Sequence, residues 1–144
     1  MQAYRDHRLT EAAQYYRQAT QLDPAFFEAQ YNYGLAATDI GALPAALAAY
    51  ESALALRPDS TDARYNFALV LKQARYYTDA ANELEKLLAA HPNETRAHLA
   101  LANLYAQQLS QPALAREHYL KVLELEPKNA QAAAIRFWLS SNPQ

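Results

Sequence analysis

The chain has 144 residues, a formal net charge of −2, four histidines and no cysteine. That length suits one compact domain or one short array, and the missing thiols exclude disulfides, thiolate nucleophiles and Cys-rich zinc sites. Its 13 Lys and Arg and 15 Asp and Glu are scattered rather than striped, so the phosphate-neutralising face that nucleic acid needs is absent and no nucleic-acid partner is expected.

Only two glycines interrupt a mixture rich in Ala, Leu, Tyr, Gln and Glu, which is a helical composition. No run approaches the roughly 18 apolar residues of a membrane span, so direct membrane insertion is not expected. Cytoplasm and periplasm both suit such a chain, and localisation stays open. In chain order, residues 1–6 read as the last turn or two of a helix that would start before Met1. Thr10 stands where an N-cap is wanted for a helix over 10–22, which Pro24 closes. A second helix follows with Ala29, Tyr33, Gly34 and Ala37 on one stripe, then a short link containing Gly41. Pro44 opens the next helix, in the first turn where a missing N–H costs nothing, and Pro58 ends it. Ala63, Phe67, Ala68 and Leu71 form the following stripe, and the link Arg75-Tyr76-Tyr77 leads to Thr78 as an expected N-cap. Ala80, Ala81, Leu84, Leu87 and Leu88 recur at helical spacing up to Pro92. Ala97, Leu101, Ala102 and Tyr105 repeat the stripe, the link Leu109-Ser110-Gln111 follows, and a helix opened by Pro112 runs to Pro127. A last helix is predicted over Ala130 to Leu139, capping the stack with Phe137 and Trp138.

The four corner prolines lie 34, 34 and 35 residues apart, with the extra residue placed most simply in the 109–111 link. The unit is helix, turn, helix, proline corner. With Gly34, Ala68 and Ala102 at the small position of the first helix, Ala12, Ala46, Ala80 and Ala115 in the second, and Tyr16, Tyr50, Leu84 and Tyr119 four residues on, the pattern resembles the tetratricopeptide repeat. The usual tryptophan of the first helix is replaced by Gln30, Arg64 and His98. The resemblance implies an all-α fold, a right-handed α-solenoid of antiparallel helix pairs. It divides the chain into a partial repeat over 1–24, repeats over 25–58, 59–92 and 93–127, and a capping helix with its tail over 128–144. Each hairpin keeps an apolar face that only the next can cover, so a single repeat is not expected to be stable.

The same resemblance implies a non-catalytic protein-interaction scaffold, a module that takes a peptide or partner segment in a concave groove lined by the first helices. The groove positions are Tyr31, Asn32 and Leu35, then Tyr65, Asn66, Leu69 and Lys72, then Arg96 and Asn103. Asn32 and Asn66, at identical register in YNYG and YNFA, can each offer a donor and an acceptor to a peptide main chain beside Tyr31 and Tyr65. Where family members clamp acidic C-termini with Lys, Asn and Arg, this chain has Tyr31, Leu35 and Ala100, so a carboxylate clamp is disfavoured. The alternative function is self-association through the open N-terminal end of the array, making a homo-oligomer. No catalytic residues and no cofactor are expected. The histidines His7, His91, His98 and His118 fall in different segments, and Glu94 with His98, four apart, is too small a set for a metal.

Overall fold

Closely spaced proline corners leave room between them for helices, and eight α-helices occupy the described residues. The computed structural model describes the backbone of residues 2–143 and the side chains of residues 5–143. Contacts divide the chain into two units, residues 1–76 and 77–144. The first holds α1 (Gln2–Leu22), α2 (Phe27–Asp39), α3 (Leu43–Leu56) and α4 (Thr61–Gln73). The second holds α5 (Tyr77–Ala90), α6 (Thr95–Gln107), α7 (Pro112–Leu125) and α8 (Ala132–Ser141).

Within each unit, successive helices fold back on one another as hairpins, α1 on α2, α2 on α3 and α3 on α4, then α5 on α6, α6 on α7 and α7 on α8. Small residues sit where the helices approach most closely. Ala37, Ala46, Ala53 and Ala63 have no exposed surface in the first unit, nor do Ala80, Ala97, Ala102 and Ala115 in the second. Beside them the buried rings of Tyr50 and Phe67, and of Tyr119, fill the space the alanines leave.

Each proline corner is built from the same two backbone bonds. Asp23 N, Arg57 N, His91 N and Glu126 N close the preceding helix on Ala19 O, Ala53 O, Leu87 O and Val122 O. Three residues on, Phe26 N, Ser60 N, Glu94 N and Asn129 N donate back to Asp23 O, Arg57 O, His91 O and Glu126 O. A side chain then ties the new helix to the corner: Gln30 Nε2, Arg64 NH2 and His98 Nε2 reach Pro24 O, Pro58 O and Pro92 O at 3.0, 2.9 and 2.7 Å. These are the three residues that replace the family's tryptophan. Each makes a polar bond to the corner there.

The other links end their helices through a left-handed residue. Gly41 (φ 77°) and Arg75 (φ 69°) sit in two of them, where Ala42 N and Tyr76 N bond to Ala37 O and Leu71 O at 2.8 Å each. The third link, residues 108–111, is one residue longer than 40–42 and 74–76, and its left-handed residue is Ser110 (φ 51°).

Three expectations need correction. Thr10 is not an N-cap: α1 runs unbroken from Gln2 to Leu22, and the Thr10 hydroxyl donates to Asp6 O at 3.0 Å. Nothing in RDHRLTEAAQ breaks a helix, so the hydroxyl bonds the carbonyl four residues back; Met1 lies outside the described residues. Thr78 is not an N-cap either, because closure of Tyr76 on Leu71 lets α5 begin at Tyr77. Finally, Phe137 does not cover its neighbours. It is 74% exposed, since Ala132 and Ile135 define the inward face of α8 and a residue two beyond Ile135 points away from it. Trp138 does pack inward, its ring 5.0 Å from Tyr119.

Candidate functional site

Tyr31, Asn32 and Leu35 lie on α2, and Tyr65, Asn66, Leu69 and Lys72 on α4. The fold brings Tyr31 and Asn66 into direct contact across 35 residues of chain: Asn66 Nδ2 donates to Tyr31 OH at 2.9 Å and to Asp62 O at 3.0 Å. Both amide hydrogens of Asn66 are thus used, leaving its oxygen as an acceptor. Asn32 is half-buried, and its amide finds no partner among the described residues. The two asparagines share a register but not a chemical state. Leu35, 37% exposed, lies one turn beyond Tyr31 and Asn32, while Tyr65, Leu69 and Lys72 are half-buried on α4.

Tyr31 is held as part of an aromatic row. Its ring stacks on Phe27 at 5.9 Å and meets Tyr50 edge-on at 6.0 Å. Arg57 lies 4.4 Å above the Phe27 ring and pairs with Glu28 at 3.1 Å. Phe27 and Arg57 carried no signal in the sequence, because the fold alone places the residue before Pro58, at the end of α3, over a ring at the start of α2. Burial pushes the Tyr50 phenol well above its ordinary pKa, so it packs as a neutral ring.

In the second unit, Arg96 and Asn103 lie on α6. Arg96 Nε donates to Glu94 Oε1 at 2.8 Å, and Asn103 Oδ1 accepts from Tyr119 OH at 2.5 Å. The histidines that looked unrelated converge: His98 Nδ1 and His118 Nδ1 are 3.0 Å apart. His98 Nε2 must carry the proton it gives to Pro92 O, so His98 Nδ1 accepts and His118 Nδ1 donates. His118 Nε2 then faces Glu85 Oε1 at 3.4 Å, and Glu85 Oε1 also accepts from Tyr105 OH at 3.0 Å. Burial and Glu85 push the Tyr105 phenol up to about 12. Glu94 and His98 each have other partners, and no group of three or more metal-ligating side chains gathers among the described residues. No helix among them is long and apolar enough to cross a membrane.

Three family models described as tetratricopeptide repeat match residues 2–61, 37–104 and 95–129. No curated protein matches the chain. Among solved structures, the crystal structure of MamA superposes with a TM-score of 0.84 at 20% identity, over 92% of this chain and 78% of that one. A tetratricopeptide repeat protein from Parabacteroides merdae ATCC 43184 gives 0.83 at 25% identity, over 92% of this chain and 52% of that one. The first TPR of Spaghetti (RPAP3), bound to the HSP90 peptide SRMEEVD, gives 0.72 at 20% identity, over 80% of this chain and 94% of its own. The fold class is that of the all-α solenoids of helix pairs.

Proposed function

We propose a function that starts from membership: this chain belongs to the tetratricopeptide repeat family. It is a protein-interaction scaffold without catalytic activity, and it captures an extended partner segment on the surface that α2 and α4 build in the first unit. The observation that carries this is the Tyr31–Asn66 bond, which fixes an aromatic and amide surface with Asn32 unpartnered and Leu35 exposed beside it. Leu69 and Lys72 extend that surface along α4, and Arg96 and Asn103 offer a comparable set on α6. Rigid rings and amides recognise main chain and side chain together, with affinity near micromolar, about −8 kcal/mol.

The Spaghetti domain's peptide, SRMEEVD, carries two Glu and one Asp against one Arg and is acidic. Tyr31, Leu35 and Ala100 stand here where a cationic clamp would need Lys, Asn and Arg, so the partner proposed is not an acidic tail. The test is quantitative capture by the intact protein and by an Asn32→Ala, Leu35→Glu double variant. A specific partner should drop at least about tenfold in the variant while the thermal melt is unchanged. Equal capture by both overturns the reading.

A second reading has its own observation. Tyr15, Leu22 and Phe26 are 68, 88 and 47% exposed on α1 and the first corner, which favours self-association through that end of the chain. Sedimentation over a wide concentration range separates it from capture of another protein.

A further inference from the structure

Helices α6, α7 and α8 leave a pocket of about 270 Å³ lined by Leu99, Asn103, Tyr119, Ile135 and Trp138 among others. None of its lining residues is acidic or basic, so a charged group entering it would lose part of its hydration without gaining a counter-charge. Pockets for whole small-molecule ligands run from about 300 to 1,000 Å³. This one is sized for a single side chain and its own peptide group.

The polar chemistry is directional. Burial raises the Tyr119 pKa, so its hydroxyl stays protonated and donates to Asn103 Oδ1. That bond fixes the amide, and Asn103 Nδ2 has no partner among the described residues, leaving two N–H donors on a residue that lines the pocket. The rings of Tyr119 and Trp138, tilted 54° at 5.0 Å, give the pocket aromatic surface.

We propose that this pocket docks one uncharged aromatic side chain of a partner polypeptide, with Asn103 donating to the carbonyl of the same residue. The proposal rests on the reading that the chain captures a protein, and it names one residue type of that partner. Helix α8 thereby becomes part of the recognition surface.

Trp138 is the chain's only tryptophan, so its emission reports on the pocket in the intact protein. Titration with N-acetyl-phenylalanine amide should give a saturable change with Kd within about tenfold of 1 mM. The corresponding glutamate and lysine amides should bind at least about tenfold more weakly. Asn103→Asp keeps the acceptor for Tyr119 but loses both N–H donors, and should weaken the phenylalanine amide several-fold. Ala134→Leu, at an exposed lining position, should abolish saturation with the circular-dichroism melt unchanged. No saturation by the phenylalanine amide, equal binding of the charged amides, or full binding by Ala134→Leu each overturns the proposal. The two readings fail separately. Intact partner capture by Ala134→Leu removes the pocket from the function, whereas saturation by the amide in a chain that captures no protein removes the scaffold reading and leaves the pocket as a site for free aromatic amides.

Discussion

At Gly34 an added Cβ would stand 2.7 Å from Tyr50 Cε1 and 2.8 Å from Cζ. Helix propensity alone favours Ala over Gly by about 1 kcal/mol in a helix interior, so an unobstructed Gly34→Ala change would stabilise α2. The Tyr50 ring is 1% exposed and cannot swing aside without opening the α2–α3 contact. Overpacking should therefore win, and Gly34→Ala should lower stability by about 1–3 kcal/mol in urea or thermal melts; a neutral or stabilised variant would show that the ring yields freely. His118 is a second residue whose surroundings make a measurable difference. Burial holds its imidazole below the ordinary 6.5, with Glu85 on α5 opposing, His98 on α6 adding to the depression, and Glu117 on its own helix opposing. Tyr105 on α6 stacks on the ring at 5.9 Å and shares Glu85. The folded chain thus takes this proton less readily than the unfolded chain, so this group's contribution to stability is present above pH 6.5 and declines as pH falls through 6.5 to the lower folded value. Glu85→Gln removes the carboxylate that favours the imidazolium, and proton NMR of the His118 ring should show its pKa move further down. An unchanged or raised value would mean that the 3.4 Å contact carries no charge interaction.

The elements show which local signals suffice and which do not. Proline corners and apolar stripes of period 3.6 were enough to locate α2 to α7, because each stripe has a proline on at least one side, though the α4–α5 junction, with neither Gly nor Pro, left the start of α5 to be misread at Thr78. The start of α1 was not legible, since residues before Thr10 carry neither Gly nor Pro and a capping residue without a breaker is ambiguous. Phe137 was misplaced for another reason: an aromatic pair on a short helix has two faces to choose from, and Ala132 with Ile135 decided the matter. The Tyr31–Asn66 and His98–His118 contacts were beyond sequence reading because each depends on where two different helices come to rest. The replacements at the tryptophan position were visible as departures, yet their common bond to the proline carbonyl appears only in three dimensions. Links are the other place where residue type and backbone disagree. Gly41 meets its left-handed conformation without penalty, whereas Arg75 adopts φ 69° with a side chain attached. Arg75→Gly should therefore stabilise the chain by about 0.5–1 kcal/mol despite the greater freedom it gives the unfolded state. The urea midpoint measures it, and a destabilised variant would show that the arginine side chain contributes more than the strain costs.

For the molecule as a whole, the repeated hairpin means that stability is assembled locally. In an array of this kind it approximates a sum of unit terms and nearest-neighbour terms rather than one shared core. Phe67 in the first unit is 8% exposed and Ile135 in the second 2%, and truncating either to Ala should cost about 2–5 kcal/mol. Ile135 belongs to a cluster with Ala102, Ala115, Tyr119 and Val122, so its loss is felt on α6, α7 and α8. Native-state hydrogen exchange should then record two different patterns. Phe67→Ala should speed exchange chiefly in α2 to α4, and Ile135→Ala chiefly in α6 to α8, because local opening draws on the contacts that each substitution removes. Uniform acceleration across residues 2–143 by either variant would mean that the hairpins open only all together, and stability would then have to be treated as one global quantity.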